Sequence, residues 1–346
     1  MGGTVLIARL DNAGDMLLAG PAVRAVAAHV GKVVMLAGPH GTAAAELLPG
    51  VDQVIEWCAP WIDPDPAPVT AEHVAALHDA VRTQAPHAAL LLTSFHQCPL
   101  PLALLLRLAG VGWIGAISED YPGSLLDLRH RVDGDPPEAQ RALGLARAAG
   151  YPLPAGDDGG LAVRRPLPNV DELTRGPGYV VVHPGASVPA REWPAQHCAQ
   201  AVGALVAAGH RVVVTGSARE RHLTALVAGD LGVDLGGRTD LRTLAAVLDG
   251  ACVVVAGNTG PAHLAAAVGT PVVSLFAPVV PAARWAPYGV PTVLLGDQHA
   301  PCRDTRARRC PVPGHPCLSG VAPADVVEAV GSLLGARTAA HMGAQT

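Results

Sequence analysis

The chain has 346 residues, half of them hydrophobic, and carries a formal net charge of −5 at pH 7. This length is sufficient for two domains with hydrophobic cores, and the mean hydropathy of +0.31 excludes a disordered or highly charged tail protein. The acidic balance, with a pI near 6.3, argues against general nucleic-acid binding.

The N-terminus predicts no secretory signal, because the first apolar run already contains Arg9 and Asp11. Seven cysteines, an odd number, then favour a reducing compartment, and we expect a cytoplasmic protein. The most lipid-like stretch, residues 98–117, is interrupted by two prolines and Arg107, which favours a buried helix and strand over a membrane span. Transient association with the inner-membrane surface is left open.

Apolar strands alternate with helices in the first part of the chain. We predict strands at residues 4–10, 32–37, 51–57, 88–93 and 111–114, and helices at residues 16–30, 71–83, 99–108 and 138–149. Strands that are apolar throughout and alternate with helices are typical of a parallel sheet covered on both faces.

Residues 151–177 are rich in Pro, Gly and Asp and predict a linker with one short strand at residues 161–163. A second series of elements follows. We predict strands at residues 179–182, 211–215, 251–256, 270–276 and 290–295, and helices at residues 194–208, 220–229, 241–248, 264–268 and 323–334. The fold class is therefore α/β, with two Rossmann-like halves.

Residues 251–276 predict a strand, a polar glycine-containing turn, a short helix and another strand. In an α/β protein such a turn is where an anionic ligand binds, because free backbone N–H groups converge at the helix N-terminus and the helix dipole adds partial positive charge. The turn at residues 257–263 is therefore a candidate ligand site.

Gly14 and Asp15 follow the first predicted strand, where a parallel sheet presents its ligand-facing loops. Two roles suit the Asp15 carboxylate. It can cap the helix that is predicted to begin at Met16, or it can act as a general base at the edge of the sheet. Residue chemistry alone leaves both roles open.

The loop after the strand at residues 179–182 contains His183, Gly185 and Ser187, and Arg191 follows shortly after. Glycine and a hydroxyl residue allow close approach of a phosphate, and arginine pairs with phosphate through two hydrogen bonds. The alternative is an ordinary loop with a surface arginine. The sequence lacks both G-x-G-x-x-G after the first strand of either half and G-x-x-x-x-G-K-[ST] anywhere, which disfavours a dinucleotide dehydrogenase and excludes a P-loop enzyme.

Two further groups have a functional and a structural interpretation. His263 lies about one turn from Thr259, so it is either a packed core histidine or part of the polar helix start. Cys302, Cys310, Cys317 and His315 lie near one another in the sequence, and both cysteine and histidine bind zinc. However, they include no C-x-x-C pair and are irregularly spaced, which favours reduced thiols packed in loops. We expect no metal ion.

Taken together, the motifs resemble glycosyltransferase family 9, the ADP-heptose:lipopolysaccharide heptosyltransferase family. Four blocks occur in the family's order across nearly the whole chain. They are residues 5–10 with Gly14-Asp15 and residues 21–24; residues 183–187 with Arg191 and Trp193-Pro194; residues 257–267 with Pro271 and Leu275-Phe276; and Cys310-Pro311 with Cys317-Leu318.

The resemblance implies a GT-B fold, in which two Rossmann-like domains face each other across a cleft. It assigns residues 1–165 to the acceptor side and residues 166–335 to the nucleotide-sugar donor, with the last helix able to pack back on the first domain; residues 336–346 are expected to be a disordered tail. Family enzymes invert the sugar's configuration without a metal or cofactor. The resemblance makes Asp15 the catalytic base and places Asn12 and Gly14 on the acceptor side.

For the donor, the resemblance implies that Gly185, Ser187, Arg191, Thr259 and Gly260 bind the diphosphate or nucleotide. Glu220 is the expected ribose contact, and Asn258 and His263 are expected to contact the donor sugar. The chain departs from the family pattern at two of these positions. Asn258 replaces an aspartate, so a neutral amide stands where the family has a charge, and Arg191 replaces a lysine.

The expected function is inverting, metal-independent transfer of a heptose-like sugar from ADP-heptose to a hydroxyl of a glycan or glycosylated small molecule. Two alternatives come from other classes. A nucleotide-sugar 2-epimerase would turn over the donor without an acceptor, and a non-catalytic nucleotide-sugar binding protein would bind it without reaction. We expect a monomer that has no nucleic-acid partner.

Overall fold

The computed structural model describes residues 2–66 and 68–343, excluding the side chains of residues 337–343. The chain forms two compact units, Met1–Arg164 and Arg165–Thr346. Each unit is an α/β layer structure around one parallel six-stranded sheet, as the alternation of apolar strands and helices predicts. Among the residues that the structure describes, no helix is both long and apolar enough to cross a membrane.

Unit 1 has the strand order β3-β2-β1-β4-β5-β6. Its strands are β1 (Thr4–Arg9), β2 (Lys32–Ala37), β3 (Gln53–Glu56), β4 (Ala88–Leu91), β5 (Trp113–Ile117) and β6 (Leu128–His130). Its helices are α1 (Ala13–Leu18), α2 (Gly20–Ala27), α3 (Thr42–Leu47), α4 (Ala71–Gln84), α5 (Leu100–Leu108) and α6 (Glu138–Ala148). The central strands β1 and β4 are almost wholly buried, because helices cover both faces.

Unit 2 has the strand order β12-β11-β10-β7-β8-β9. Its strands are β7 (Tyr179–His183), β8 (Val212–Val214), β9 (Val233–Asp234), β10 (Ala251–Gly257), β11 (Val272–Leu275) and β12 (Thr292–Leu295). Its helices are α7 (Asp171–Thr174), α8 (Ala195–Ala207), α9 (Arg221–Ala228), α10 (Leu241–Asp249), α11 (Gly260–Val268), α12 (Ala282–Trp285), α13 (Pro316–Ser319) and α14 (Pro323–Gly343). Helix α14 packs against α8 and the strands of its own unit.

The two sheets share one topology, in which the order reverses between the first and fourth strands of each unit. In unit 1 these strands are β1 and β4, and in unit 2 they are β7 and β10. Ligands of open α/β sheets bind beyond the carboxyl ends of the strands at such a reversal, because the flanking connections leave on opposite faces and open a crevice. The fold therefore selects one position in each unit as a candidate site.

The single helix predicted at residues 16–30 is wrong, since the structure has two helices there. Proline lacks the N–H that a helix interior requires, so Pro21 is tolerated only in a first turn, and a new helix begins at Gly20. Helix α1 begins earlier than predicted, at Ala13, which places Asp15 inside its first turn. Asp15 is therefore not the N-cap; that position belongs to Asn12, whose side chain makes no capping hydrogen bond.

Several boundaries differ from the predictions. The predicted strand at residues 161–163 does not pair with either sheet, although Leu161 and Val163 are buried. Strands β6 and β9 and helix α3 were not predicted, and they are short elements with little periodicity to detect. The last helix, predicted to end near residue 334 before a disordered tail, continues to Gly343, and residues 344–346 lie outside the described residues.

Candidate functional site

The candidate site of unit 1 is built around Arg9, the last residue of β1. Its side chain is only 2% exposed. Its guanidinium Nε lies 2.7 Å from Asp11 Oδ2, one terminal nitrogen lies 3.1 Å from Asp15 Oδ1, and the other lies 3.4 Å from Glu138 Oε2. One buried cation therefore holds three carboxylates, which come from the loop after β1, from α1 and from α6.

Residues after β4 complete the Arg9 cluster. Ser94 Oγ accepts a hydrogen bond of 2.8 Å from Arg9 and donates one of 3.4 Å to Asp11 Oδ2. The amide of Gln97 donates to the other oxygen of Asp11, and its own Oε1 accepts from the Ser94 backbone N–H. The cluster thus joins the ends of β1 and β4, where the strand order reverses.

Burial and charge set the protonation behaviour of this cluster. Burial disfavours a charged guanidinium, yet the carboxylates of Asp11, Asp15 and Glu138 raise the pKa of Arg9 overall. Burial raises the pKa of Asp11 to about 6, against the opposing effect of Arg9. Asp15 is the most accessible of the three carboxylates, since its side chain is 21% exposed whereas those of Asp11 and Glu138 are 8% and 1% exposed.

Gly14 is buried in the first turn of α1, and Asn12, the N-cap of that helix, is exposed. The sequence analysis missed Arg9 as the partner of Asp15, and it missed Asp11, Ser94 and Glu138 as the other partners of Arg9. Arg9 could have been identified from the sequence, since it is a charged residue in an otherwise apolar strand. A buried charge requires a buried counter-charge.

The candidate site of unit 2 lies at the carboxyl ends of β7, β8 and β10, which are neighbours in the sheet. His183, the last residue of β7, is buried, and its Nδ1 lies 3.0 Å from the hydroxyl oxygen of Thr215 after β8. Burial lowers the pKa of His183, against the opposing effect of the Glu220 carboxylate, so the imidazole is neutral at pH 7.

Glu220 and Gly185 are in close contact at the same edge. A Cβ atom at position 185 would overlap the Glu220 carboxylate, so any other residue there would force that carboxylate to move. The carboxylate also accepts a hydrogen bond of 2.7 Å from the Ser217 backbone N–H, and the Ser217 side chain accepts one from the Glu220 backbone. This reciprocal capping box fixes Glu220 at the edge of the sheet. Ser187 is exposed on the loop after β7.

Arg191 and Asn258 meet at the end of β10. A guanidinium nitrogen of Arg191 donates to the Asn258 carbonyl oxygen over 3.4 Å. Asn258 is only 4% exposed, yet within the described part of the chain neither its side-chain amide oxygen nor its amide nitrogen has a hydrogen-bond partner. A buried amide without partners costs about 1–3 kcal/mol for each group left unsatisfied, which is the arrangement expected where a ligand supplies the missing bonds.

Helix α11 begins at Gly260, two residues after Asn258, with Thr259 as its N-cap. The Thr259 N–H donates to the Gly257 carbonyl over 2.9 Å, and the Ala262 N–H donates to Thr259 over 3.1 Å. Because the Thr259 N–H is already engaged and Pro261 has no N–H, the amide of Gly260 is the backbone donor at this helix start that can face an anion. His263 is buried one turn further along the helix.

The cysteines near the C-terminus are core residues of unit 2. Cys302 and Cys317 are each 1% exposed, and Cys310 packs against the same core. Burial, together with the neighbouring thiols, raises the pKa of Cys317 to about 12, so this thiol stays protonated at neutral pH. Within residues 2–66 and 68–343, no group of three or more His, Cys, Asp or Glu side chains is arranged to hold a metal ion.

The raised pKa of Asp11 predicts a pH dependence of stability. A carboxyl whose native pKa lies above its unfolded value binds its proton more tightly when folded, so it favours the folded state at low pH and loses that contribution as the pH rises through about 6. Asp11→Asn removes this dependence. We measure the free energy of unfolding of both proteins by urea denaturation. The value for Asp11→Asn minus the value for wild type should increase by about 1 kcal/mol between about pH 5 and about pH 7.5.

The control for this measurement is Asp79→Asn, on the exposed face of α4. We expect its difference from wild type to be constant over the same pH range. A constant difference for Asp11→Asn as well would contradict a raised pKa at this carboxyl.

Comparisons with known proteins place the chain in a family. The model of glycosyltransferase family 9 (heptosyltransferase) matches residues 99–315. Lipopolysaccharide heptosyltransferase 3 from Escherichia coli is 30% identical over 49% of this chain and 51% of its own length. Lipopolysaccharide heptosyltransferase 1 from Pseudomonas aeruginosa is 35% identical over 48% of this chain and 46% of its own length. The chain thus spans about half the length of these relatives.

Solved structures agree at the level of fold. The E. coli ADP-heptose lipopolysaccharide heptosyltransferase II superposes with a TM-score of 0.75 at 19% identity, covering 97% of this chain and 99% of that one. E. coli heptosyltransferase WaaC, solved with ADP-2-deoxy-2-fluoro heptose, superposes with a TM-score of 0.68 at 21% identity, covering 85% of this chain and 94% of that one. These likenesses confirm the predicted GT-B class of two Rossmann-like units. Because the family model matches more than half of the sequence, the chain belongs to glycosyltransferase family 9.

Proposed function

We propose that this protein is an inverting, metal-independent heptosyltransferase that transfers a heptose-like sugar from ADP-heptose to an acceptor hydroxyl. The observation that carries the proposal is the buried, unpartnered amide of Asn258, beside the Arg191 guanidinium at the strand reversal of unit 2. An amide that can both donate and accept suits a sugar hydroxyl, and a guanidinium suits a diphosphate. Family membership and the ADP-heptose analogue bound to the related WaaC support the choice of donor.

In the proposed donor site, Arg191 and the Gly260 amide stabilise the negative charge that develops on the departing diphosphate. Gly185 and Ser187 line the approach to the nucleotide, and Thr259 shapes the turn that precedes the helix. Glu220, fixed by its capping box, accepts hydrogen bonds from ribose hydroxyls. Asn258 and the neighbouring His263 contact the donor sugar. The Arg191 guanidinium stays protonated at neutral pH, so its role is electrostatic.

In the proposed acceptor unit, Asp15 takes the proton of the acceptor hydroxyl as the new C–O bond forms and the C–O bond to the diphosphate breaks on the opposite face of the sugar. Its ion pair with Arg9 fixes the carboxylate position, and its partial exposure leaves it accessible to a substrate. Asn12 and Gly14 flank it on the acceptor side. We propose that the reaction takes place in the cytoplasm, which is supported by the odd number of cysteines, seven.

Asp15→Asn tests the base. We expect transfer to fall about 10²–10⁴-fold, because the amide cannot accept the proton, while ADP affinity is unchanged. Transfer is measured as ADP release with ADP-heptose and acceptor, and affinity by calorimetry. Asp79→Asn is the matched control and should transfer at the wild-type rate. Near-normal turnover of Asp15→Asn would remove Asp15 from the base role.

Arg191→Ala tests the diphosphate contact. We expect the Kd for ADP to rise about 10–100-fold, because hydrogen bonds to charged groups contribute about 1.5–3 kcal/mol. The control is Arg165→Ala, an exposed arginine that pairs with Asp249 before β10, at the opposite edge of the same sheet. Unchanged calorimetric affinity in Arg191→Ala would place the diphosphate elsewhere.

A further inference from the structure

The edge of unit 1 that holds Asp15 also has an aromatic surface beside a small cavity. The cavity has a volume of about 10 Å³, room for one hydroxyl or amine, and lies against the ends of β1 and β4. It is lined by Ala8, Leu10, Trp61, Ile62, Leu91, Leu92, Thr93, Cys98, Pro99 and Leu102. Because side chains alternate along a strand, Ala8 and Leu10 face this cavity from the side of the sheet opposite to Arg9.

Trp61 is held in place by a stack of rings. The Trp57 ring lies parallel to that of His73 at 4.8 Å, and the Trp61 ring is tilted against Trp57 at 5.6 Å. Trp57 Nε1 donates to the His73 carbonyl over 3.1 Å, and a nitrogen of the His73 ring lies 2.7 Å from the Cys58 carbonyl oxygen. The Trp61 side chain nevertheless remains 38% exposed. A fixed, exposed indole beside a cavity is suited to one face of a sugar ring, which is apolar at its C–H groups.

Thr93 gives an independent indication of a ligand. Residue Thr93 is 7% exposed, lines the cavity, and its hydroxyl has no hydrogen-bond partner among the residues that the structure describes. The next residue, Ser94, hydrogen-bonds to Arg9 and Asp11, so the cavity and the cluster that holds Asp15 lie at the same strand ends, on opposite faces of the sheet. A buried hydroxyl without a partner is costly unless a ligand supplies the missing hydrogen bond.

The charge of this edge is negative. Residues 10–12, 38–41, 57–70, 92–99, 118–126 and 131–137 follow the six strands of unit 1, and their described residues contain seven carboxylates and a single Lys or Arg, Arg131. Arg9 is buried and pairs with Glu138, whereas Arg141, whose side chain is 11% exposed, lies 3.5 Å from Glu138 and also donates to the Thr93 carbonyl. Such an edge attracts cations and repels phosphate groups.

We propose that the acceptor is a phosphate-free saccharide that carries amino groups, and that it binds unit 1 with one ring on Trp61 and one hydroxyl or amine beside Thr93. The proposal rests on the proposed function in taking Asp15 as the acceptor-side base. It adds the chemical class of the acceptor and the two residues that select it.

The acceptor class is tested with three forms of one disaccharide: the amino form of chitobiose, its N-acetylated form and its 6-phosphorylated amino form. We expect binding, measured by saturation-transfer NMR, to be tightest for the amino form and about tenfold weaker for the phosphorylated form. The difference should shrink in about 0.5 M salt, because screening weakens exposed charges. Preference for the phosphorylated form, or no binding of any form by protein that binds ADP, would overturn the proposal.

Two variants test the residues. Thr93→Val removes a hydroxyl that no described residue hydrogen-bonds, so we expect unchanged or higher thermal stability together with acceptor binding weakened about 3–10-fold. Trp61→Ala should weaken acceptor binding by a similar factor, and Trp61→Phe should restore part of it. Leu108→Ala, at an exposed leucine at the end of α5, is the control.

Unchanged acceptor affinity in both Thr93→Val and Trp61→Ala would also overturn the proposal. A failure of the proposed function would give a different result. The wild-type protein would then neither bind ADP nor turn over ADP-heptose, whichever saccharide is supplied.

Discussion

The buried ion-pair cluster on Arg9 is the interaction on which the organisation of unit 1 depends. Arg9 lies on the central strand and is joined to carboxylates from three different elements, so it ties the loop after β1, helix α1 and helix α6 to the sheet. Removing one partner of a buried cluster leaves an uncompensated charge, which costs about 3–5 kcal/mol. The position of Asp15 is therefore determined by the core of the unit as well as by helix α1, in which it lies.

The same topological position carries side chains of opposite charge preference in the two units. In unit 1 the strand reversal between β1 and β4 gathers carboxylates around one cation, and the surrounding edge is acidic. In unit 2 the equivalent reversal between β7 and β10 gathers a neutral histidine, an arginine, an unsatisfied amide and a helix N-terminus. One edge suits a proton-accepting group and a cationic acceptor, and the other suits an anionic donor.

Much of the fold could be predicted from the sequence, because buried parallel strands are apolar throughout and their helices are periodic. The ends of elements were less predictable: Pro21 divides one predicted helix into two, and α1 begins three residues before Met16. The resemblance to the family singled out Asp15, Arg191 and Asn258, but it did not indicate Arg9, which pairs with Asp15, or the distant partners of Arg9. Arg9 and Glu138 are separated by 129 positions, and no local pattern reports such a contact. The unpartnered hydroxyl of Thr93 is likewise a property of packing alone.

The central claim, that Asp15 serves a single displacement at the anomeric carbon, is tested most directly by the configuration of the product. Proton NMR of the transferred heptose, compared with that of the ADP-heptose supplied, reports the anomeric configuration before and after reaction. A base that activates the acceptor for direct attack requires the configuration to invert, because the nucleophile enters opposite to the departing diphosphate. Retention of the donor's configuration would contradict this account, since it requires a second displacement or a different geometry of attack.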